Sequence, residues 1–90
     1  MKTYTLIVWG RVQGVGFRYA LHRLAVEVGL VGGVFINKDD GSVYVEVSGS
    51  EKALECFVDR VIHEKLGFSK VESVSVNKNG KEVLSSFKIQ

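Results

Sequence analysis

The sequence predicts an α+β domain in which two helices cover one face of a mostly antiparallel sheet. Two observations lead to this prediction. Two segments have the apolar spacing of amphipathic helices, and the segments before and after them are β-branched runs separated by turn signals. The predicted order is βαββαβ, with one further strand at the end. Split β-α-β units in this order form the ferredoxin-like α/β sandwich. Because that fold hosts many functions, it does not identify the activity by itself.

The first predicted elements follow from apolar spacing. Tyr4–Trp9 is rich in β-branched and aromatic residues and is predicted as a strand. Apolar residues at helical spacing over Phe17–Val28 predict the first helix. Gly29 follows them, and glycine is typical of the position just after a helix end. Val31–Ile36 is predicted as the second strand.

The middle of the chain predicts a hairpin and then the second helix. Asp40-Gly41 is a turn signal, and valines at every second position after it indicate a strand with one buried face. Ser50 is a suitable N-cap, and Glu51 in the first turn of the helix complements its dipole. The inner face of this helix is predicted to comprise residues 54, 57, 58, 61 and 62.

The last third of the chain predicts two more strands. Val71–Val76 is the first of them. Asn79-Gly80 is a turn signal, after which Val83–Ile89 is predicted to return as the last strand.

Composition favours a single globular domain over residues 1–90. The chain is 46% hydrophobic and 24% charged, and its net charge of +2 does not favour general attraction to nucleic acid or to a membrane. The single cysteine, Cys56, excludes an internal disulfide. No apolar stretch has the length of a membrane span. The cytoplasm is the default compartment for such a chain, and a monomer is expected.

The stretch from Gly10 to Arg18, Gly-Arg-Val-Gln-Gly-Val-Gly-Phe-Arg, joins the first strand to the first helix. Glycines at 10, 14 and 16 allow tight bends and the close approach of a ligand to the backbone. Backbone N–H groups, a helix N-terminus and the Arg18 guanidinium together predict an anion site. The loop lacks the lysine of a P-loop and the third glycine of a dinucleotide fingerprint. A cradle for a single phosphate is the remaining prediction.

A structural interpretation of the same loop stays open at this point. The glycines could serve only the tight turn, with Arg18 as a solvated residue of the first helical turn. A cation in that position is opposed by the helix dipole, which favours an anionic partner for it.

The nine residues from Gly10 to Arg18 resemble the signature of the acylphosphatase family, and Asn37–Val43 resembles the family's Asn-x-x-Asp-Gly-x-Val segment. The resemblance implies an enzyme that hydrolyses small-molecule acyl phosphates to a carboxylate and inorganic phosphate, with no metal or cofactor. It implies that Arg18 and Asn37 are catalytic, Arg18 binding the phosphoryl group and Asn37 orienting the attacking water. The implied phosphate-binding residues are Arg11, Val12, Gln13, Gly14, Val15, Gly16, Phe17 and Arg18.

One spacing departs from the family pattern. An additional residue separates Arg18 from Asn37, and it is predicted to lie within Gly29–Gly33, where the double glycine could host a bulge. Without compensation, a slip of one residue would place Ile36 on the face that Asn37 should occupy.

Two other functions remain as alternatives. One is an acylphosphatase-like domain that acts on carbamoyl phosphate, or that binds phosphate without turnover. The other is a non-enzymatic ferredoxin-like module that binds RNA, although the paired aromatic residues on a basic sheet that such modules use are missing from the sequence. A salt-dependent shift of RNA by the purified protein would favour this second alternative.

The remaining chemically interesting side chains have structural interpretations. His22 is predicted to be a solvated histidine on the first helix, and His63 is predicted to interact with a helix C-terminus. Cys56 is predicted to be a packed or partly exposed thiol, and Trp9 to pack in the core or on a face of the sheet. No residues have the spacing of metal ligands.

Overall fold

Two helices pack on one face of a five-stranded mixed sheet, as the sequence predicts, in a computed structural model that describes residues 1–90. The strands lie in the order β4-β1-β3-β2-β5. Neighbouring strands are antiparallel except for β5, which runs parallel to β2. The elements are β1 (Lys2–Arg11), α1 (Phe17–Glu27), β2 (Gly32–Asn37), β3 (Val43–Gly49), α2 (Glu51–His63), β4 (Lys70–Asn77) and β5 (Phe87–Ile89).

The core lies between the helices and alternate residues of the central strands. The helix-facing side chains of β1 and β3 are fully buried, as the period of two requires. Ile62 was predicted on the inner face of α2, and this is wrong, because its side chain is 49% exposed. The buried residues contributed by these elements are Tyr4, Leu6, Val8, Val43, Val45, Val47, Phe17, Leu21, Leu24, Leu54, Phe57 and Val61.

The two helices begin in different ways. Ser50 caps α2, since its side chain accepts a hydrogen bond from the Ala53 N–H at 3.1 Å, and Glu51 lies in the first turn. Both features confirm the prediction. α1 instead begins after Gly16, which has a φ of 74° and no side chain that could cap the helix. At the other end of α1, Gly29 has the left-handed φ of 88° expected just after a helix.

The last strand differs from the prediction. Only Phe87–Ile89 is a strand, and it lies beside β2 at the far edge of the sheet rather than beside β4. The Gly33 N–H donates to the Ser86 carbonyl at 3.0 Å, which starts the parallel pairing. The chain therefore crosses the sheet between β4 and β5 instead of turning back.

Residues 78–86, called the crossing segment below, are attached to the sheet by backbone and hydroxyl hydrogen bonds. The Gly80 N–H donates to the Thr3 carbonyl on β1 at 3.0 Å. The Leu84 N–H donates to the Ser48 hydroxyl on β3 at 2.9 Å, and this hydroxyl is 2.6 Å from that of Thr3. These buried hydroxyls thus bind backbone groups of the crossing segment, the Leu84 N–H and the Glu82 carbonyl, without a strand pairing there.

The predicted bulge at Gly32-Gly33 is also wrong. β2 pairs with β3 without interruption from Gly32 opposite Ser48 to Asn37 opposite Val43. The double glycine is thus regular in β2, and of the predicted range from Gly29 to Gly33 only the part before it remains for an additional residue, outside the strand that begins at Gly32. This glycine has a different use, because a Cβ there would lie only 2.4 Å from the Leu84 carbonyl oxygen.

We predict that Gly32→Ala destabilises the protein by about 1–3 kcal/mol, because the crossing segment must move away from the added methyl group. Urea unfolding followed by circular dichroism measures the change. Ser85→Ala is the matched control, since it alters an exposed residue of the crossing segment without adding bulk. Equal stability of Gly32→Ala and the native chain would contradict the close approach.

Tyr4 joins β1 to α2 through a polar cluster at the edge of the core. Its hydroxyl donates to the Glu55 carboxylate at 2.5 Å, and Lys78 Nζ lies 2.8 Å from the same carboxylate and 5.4 Å from the centre of the Tyr4 ring. The hydrogen bond to Glu55, followed by burial, raises the pKa of Tyr4 to about 12. The hydrogen bond from Lys78, followed by that from Tyr4, lowers the pKa of Glu55.

We predict that this cluster weakens in alkali. The pKa of Tyr4 is raised in the folded protein, so its contribution is fully present below the unfolded value of about 10. The contribution is then lost as the pH rises through the folded value of about 12. In Tyr4→Phe the free energy of unfolding should fall less between pH 9 and pH 11 than in the native chain. Tyr19→Phe, at a 59% exposed position, should keep the native slope in urea titrations. Identical slopes for all three proteins would contradict the prediction.

Candidate active site

The loop between β1 and α1 is anchored in the core at both ends. Val12 and Phe17 are each 1% exposed, so their side chains pack inside and only their backbone is available to a ligand. Gly14 and Gly16, with φ values of 72° and 74°, turn the chain between these anchors in the left-handed region. The loop is thereby held in a tight curve over the N-terminus of α1.

The start of this loop depends on Gly10. The pairing of β1 with β4 shifts between Trp9 and Gly10, so that β4 carries one extra residue there. Gly10 has a φ of 132°, and a Cβ at this position would lie 2.2 Å from the Lys70 carbonyl oxygen. Only glycine fits this close approach.

The backbone N–H groups from Gly14 to Tyr19 have no hydrogen-bond acceptor within the chain. The first turn of α1 contains no acidic residue that could balance the positive end of the helix. Free N–H donors at a helix N-terminus form an anion-binding site. The curve of the loop and the chemistry of the helix end therefore agree with a phosphate cradle.

Arg18 lies at the edge of this cradle. Its guanidinium donates through Nη1 to the carbonyl oxygen of Gln90, and it makes no ion pair with a carboxylate. The Gln90 N–H in turn donates to the Phe35 carbonyl on β2 at 3.0 Å. This hydrogen bond fixes the side chain, while the remaining guanidinium N–H groups stay available to an anion.

Asn37 ends β2 on the face that the helices cover. It pairs with Val43 and shares this face with the buried Phe35, whereas Ile36 points to the opposite face beside Tyr44. The slip that would have exchanged Asn37 and Ile36 does not occur. The Asn37 Oδ1 is buried and has no hydrogen-bond partner in the protein. A buried acceptor without a partner costs about 1–3 kcal/mol unless water or a ligand satisfies it.

Gln13 attaches the loop to the turn that follows Asn37. Its side-chain amide donates to the Lys38 carbonyl at 2.7 Å and to the Ser42 carbonyl at 2.8 Å. Its side chain is therefore occupied within the protein, and only its backbone N–H remains for phosphate. Asp40 shapes the same turn by accepting from the Ser42 N–H at 2.9 Å and from its hydroxyl at 2.5 Å. These hydrogen bonds lower the pKa of Asp40.

The other predicted side chains lie outside this site. His22 is not a freely solvated residue, because its ring lies 5.0 Å from the ring of Phe87 and helps to pack β5 on α1. His63 Nδ1 is 3.1 Å from the Asp59 carbonyl oxygen near the end of α2, as expected for a structural residue. Cys56 is exposed, and Trp9, 39% exposed, lies on the face of the sheet opposite the helices.

Two contacts of the site were not predicted from the sequence. The bonds from Gln13 to the turn carbonyls have no signal in residue spacing, because any polar residue could occupy that position. The contact between Arg18 and Gln90 requires the crossing segment, which carries the chain to the far edge of the sheet. The turn signal at Asn79-Gly80 predicted a reversal of the chain instead. No group of three or more His, Cys, Asp or Glu side chains is placed to hold a metal ion, and no helix has the length and apolarity needed to span a membrane.

The acylphosphatase family model matches residues 4–89. The chain belongs to the acylphosphatase family. It is 36% identical to an acylphosphatase of Ligilactobacillus salivarius over 89 residues, which cover 99% of this chain and 98% of the relative. It is 46% identical to an acylphosphatase of Bacillus subtilis over 79 residues, or 88% of this chain and 85% of the relative.

A solved structure agrees with these relatives. The crystal structure of acylphosphatase from Bacillus subtilis superimposes with a TM-score of 0.89 at 41% identity, covering 100% of this chain and 99% of that one. The ferredoxin-like fold is thereby confirmed. Curated relatives of this name that match nearly the whole chain support an acylphosphatase hydrolase, and they do not favour a phosphate-binding domain without turnover.

We predict that Gln13→Ala lowers kcat/KM for benzoyl phosphate about tenfold, the equivalent of about 1.4 kcal/mol, since the turn beside Asn37 loses both its bonds to the loop. Thermal unfolding measured alongside should show a folded variant. Asp39→Ala changes an exposed residue of the same turn that makes no side-chain hydrogen bond, and it serves as the control. Native activity in Gln13→Ala would show that this attachment does not position the site.

Proposed function

We propose that residues 11–18 bind the phosphoryl group of an acyl phosphate and that Asn37 orients the water that attacks it. The observation that carries this proposal is that two sets of polar groups lack hydrogen-bond partners within the protein. Free N–H donors of the loop and the Arg18 N–H groups that do not bond to Gln90 lie on one side, and the buried, unpartnered Oδ1 of Asn37 lies on the other. Gln13 joins the two sides through the turn.

In this proposal the loop supplies the charge complementarity. The backbone N–H groups at the start of α1 donate to phosphoryl oxygens, and the Arg18 guanidinium donates from its remaining N–H groups. A planar guanidinium can hold two oxygens at once, which an ammonium group cannot. Since phosphoryl transfer depends mainly on positioning and on stabilising charge, these donors account for most of the catalysis.

Asn37 positions the nucleophile. Its Oδ1 accepts a hydrogen bond from water and directs a lone pair of the water oxygen towards phosphorus. A bond forms between that oxygen and phosphorus, and the bond from phosphorus to the acyl oxygen breaks with its electron pair leaving on the carboxylate. A neutral amide can do this without repelling the phosphate, as an aspartate would.

The proton of the water passes to a phosphoryl oxygen of the substrate. The residues that surround the cradle include no histidine, because His22 packs against Phe87 and His63 lies near the end of α2. The carboxylate is a good leaving group and needs little assistance from an acid. An enzyme group that must ionise near neutral pH in the kcat/KM profile would contradict this step.

The protein acts as a monomer in this proposal, because one chain supplies every group of the site. The reducing cytoplasm fits a chain whose only cysteine, Cys56, is exposed and unpaired. Sedimentation at working concentration tests the first statement, and a dimer would contradict it.

We predict that Arg18→Ala and Asn37→Ala affect different parameters for benzoyl phosphate. Arg18→Ala removes a charge-assisted interaction of about 1.5–3 kcal/mol, so kcat/KM should fall at least tenfold and inorganic phosphate should bind more weakly. Asn37→Ala should lower kcat while phosphate affinity is retained. Stopped assays in EDTA and phosphate titration by calorimetry measure both effects.

Two further variants sharpen the result. Arg18→Lys keeps the charge but loses the planar fork, and it should recover only part of the activity. Arg23→Ala is the matched control, since this arginine is exposed on the same helix and forms no ion pair. Full turnover in Asn37→Ala would exclude the proposed role of Asn37. Loss of activity in EDTA would exclude a reaction without metal.

A further inference from the structure

An open cavity of about 510 Å³ lies between the end of α2 and the start of β4, away from Asn37. Three cationic and three apolar side chains contribute to its lining, and both kinds lie within one concave surface. They are Arg11, Lys65, Lys70, Ile62, Phe68 and Val71. The proposed chemistry at the phosphorus atom uses none of these residues except Arg11.

The cavity adjoins the phosphate loop. Arg11 lines the cavity and is the last residue of β1, directly before the loop that leads to α1. The connection from α2 to β4 passes close to the loop, since a Cβ on Gly67 would lie 3.7 Å from the Val15 carbonyl oxygen. This connection is fixed by Ser69, whose hydroxyl donates to the Leu66 carbonyl at 2.5 Å. A molecule bound by the loop can therefore extend into the cavity.

The charge of the cavity is not neutralised by the protein. Arg11, Lys65 and Lys70 form no ion pairs. Glu64 is the only carboxylate among the lining residues, and Arg60 pairs with it, Nη2 lying 3.1 Å from Oε1. The hydrogen bond from Arg60 lowers the pKa of Glu64, so this carboxylate stays ionised and compensated at neutral pH. The remaining field of the cavity is positive and attracts an anion.

The apolar part of the cavity is unusually open to water. Phe68 is 82% exposed and Ile62 is 49% exposed, although each could be a core residue by its chemistry. Phe68 stands in the short connection between α2 and β4, and Ile62 in the last turn of α2. An aromatic or aliphatic group that enters the cavity would cover both side chains, which removes apolar surface from water.

We infer that this cavity binds the acyl group of the substrate and favours acyl groups that carry an apolar or aromatic body and a second, remote anion. The inference rests on the proposed function, because the phosphoryl group must be held by the adjacent loop. The lysines select the remote carboxylate or phosphate, and Phe68 and Ile62 contact the body between the two charges. Substrates with a small neutral acyl group leave these interactions unused.

The test compares two acyl phosphates that differ only in the remote charge. The kcat/KM for 4-carboxybenzoyl phosphate is divided by that for benzoyl phosphate, at low salt. The native chain should prefer the charged substrate, and this preference should fall as added salt screens the lysines. In the double variant Lys65→Gln/Lys70→Gln the ratio should fall about threefold to tenfold, as expected for two solvent-exposed charge interactions.

The matched control is Lys52→Gln/Lys81→Gln. It removes the same amount of charge from two exposed lysines that form no ion pair and do not line the cavity. This control should keep the native ratio. Phe68→Ala tests the apolar contact separately, since it should lower kcat/KM for both benzoyl substrates relative to acetyl phosphate.

Each result has a defined meaning. A ratio near one in the native chain, or equal losses in both double variants, would overturn the inference while hydrolysis of benzoyl phosphate upholds the proposed function. No turnover of any acyl phosphate would overturn the proposed function and the inference with it. A ratio that falls only in Lys65→Gln/Lys70→Gln supports the assignment of the cavity.

Discussion

The unsatisfied N-terminus of α1 is the constraint on which the rest of the site depends. The two helices of the fold differ at this point. In α2 the Ser50 side chain accepts a hydrogen bond from an N–H of the first turn and Glu51 adds a negative charge there, while α1 has neither a capping side chain nor an acid in its first turn. Omitting a cap typically costs about 0.5–2 kcal/mol. In exchange, the N–H groups at this helix end stay free to bind an anion. Arg18 lies in the first turn, where the helix dipole disfavours a cation unless an anion is bound nearby. Stability and function are thus opposed at the same few N–H groups.

β2 organises the groups around that helix end. It carries Asn37 at its end, and its Phe35 carbonyl receives the N–H of Gln90, whose own carbonyl holds Arg18. The turn beyond it is attached to the phosphate loop by Gln13. An uninterrupted register with β3 keeps Asn37 on the helix-facing side. The two side chains proposed as catalytic, Asn37 directly and Arg18 through Gln90, therefore both depend on β2.

Most of the fold could be predicted because local patterns and tertiary packing agree in it. The helix over residues 17–27, the Ser50 cap and the alternating valines of β3 each follow from apolar period or capping chemistry. The loop between β1 and α1 is a candidate phosphate cradle by sequence because three glycines and an arginine stand between a strand and a helix, and its role stays a prediction. The prediction failed where backbone groups meet across long sequence distances. Gly32 and Gly80 suggested a bulge and a turn. Gly32 instead makes room for Leu84 of the crossing segment, and Gly80, within that segment, makes room for Thr3 on β1. Nothing local distinguishes these uses.

The short length of β5 has a consequence for the dynamics of the site. A three-residue edge strand, paired on one side only, opens at a lower free energy than the central strands. When it opens, Gln90 releases the Arg18 side chain although the core between β1, β3 and the helices remains closed. The guanidinium then gains rotamer freedom and loses its orientation. Fraying at one edge of the sheet would thus set the fraction of folded molecules in which Arg18 has the orientation proposed for phosphate binding, independently of global unfolding.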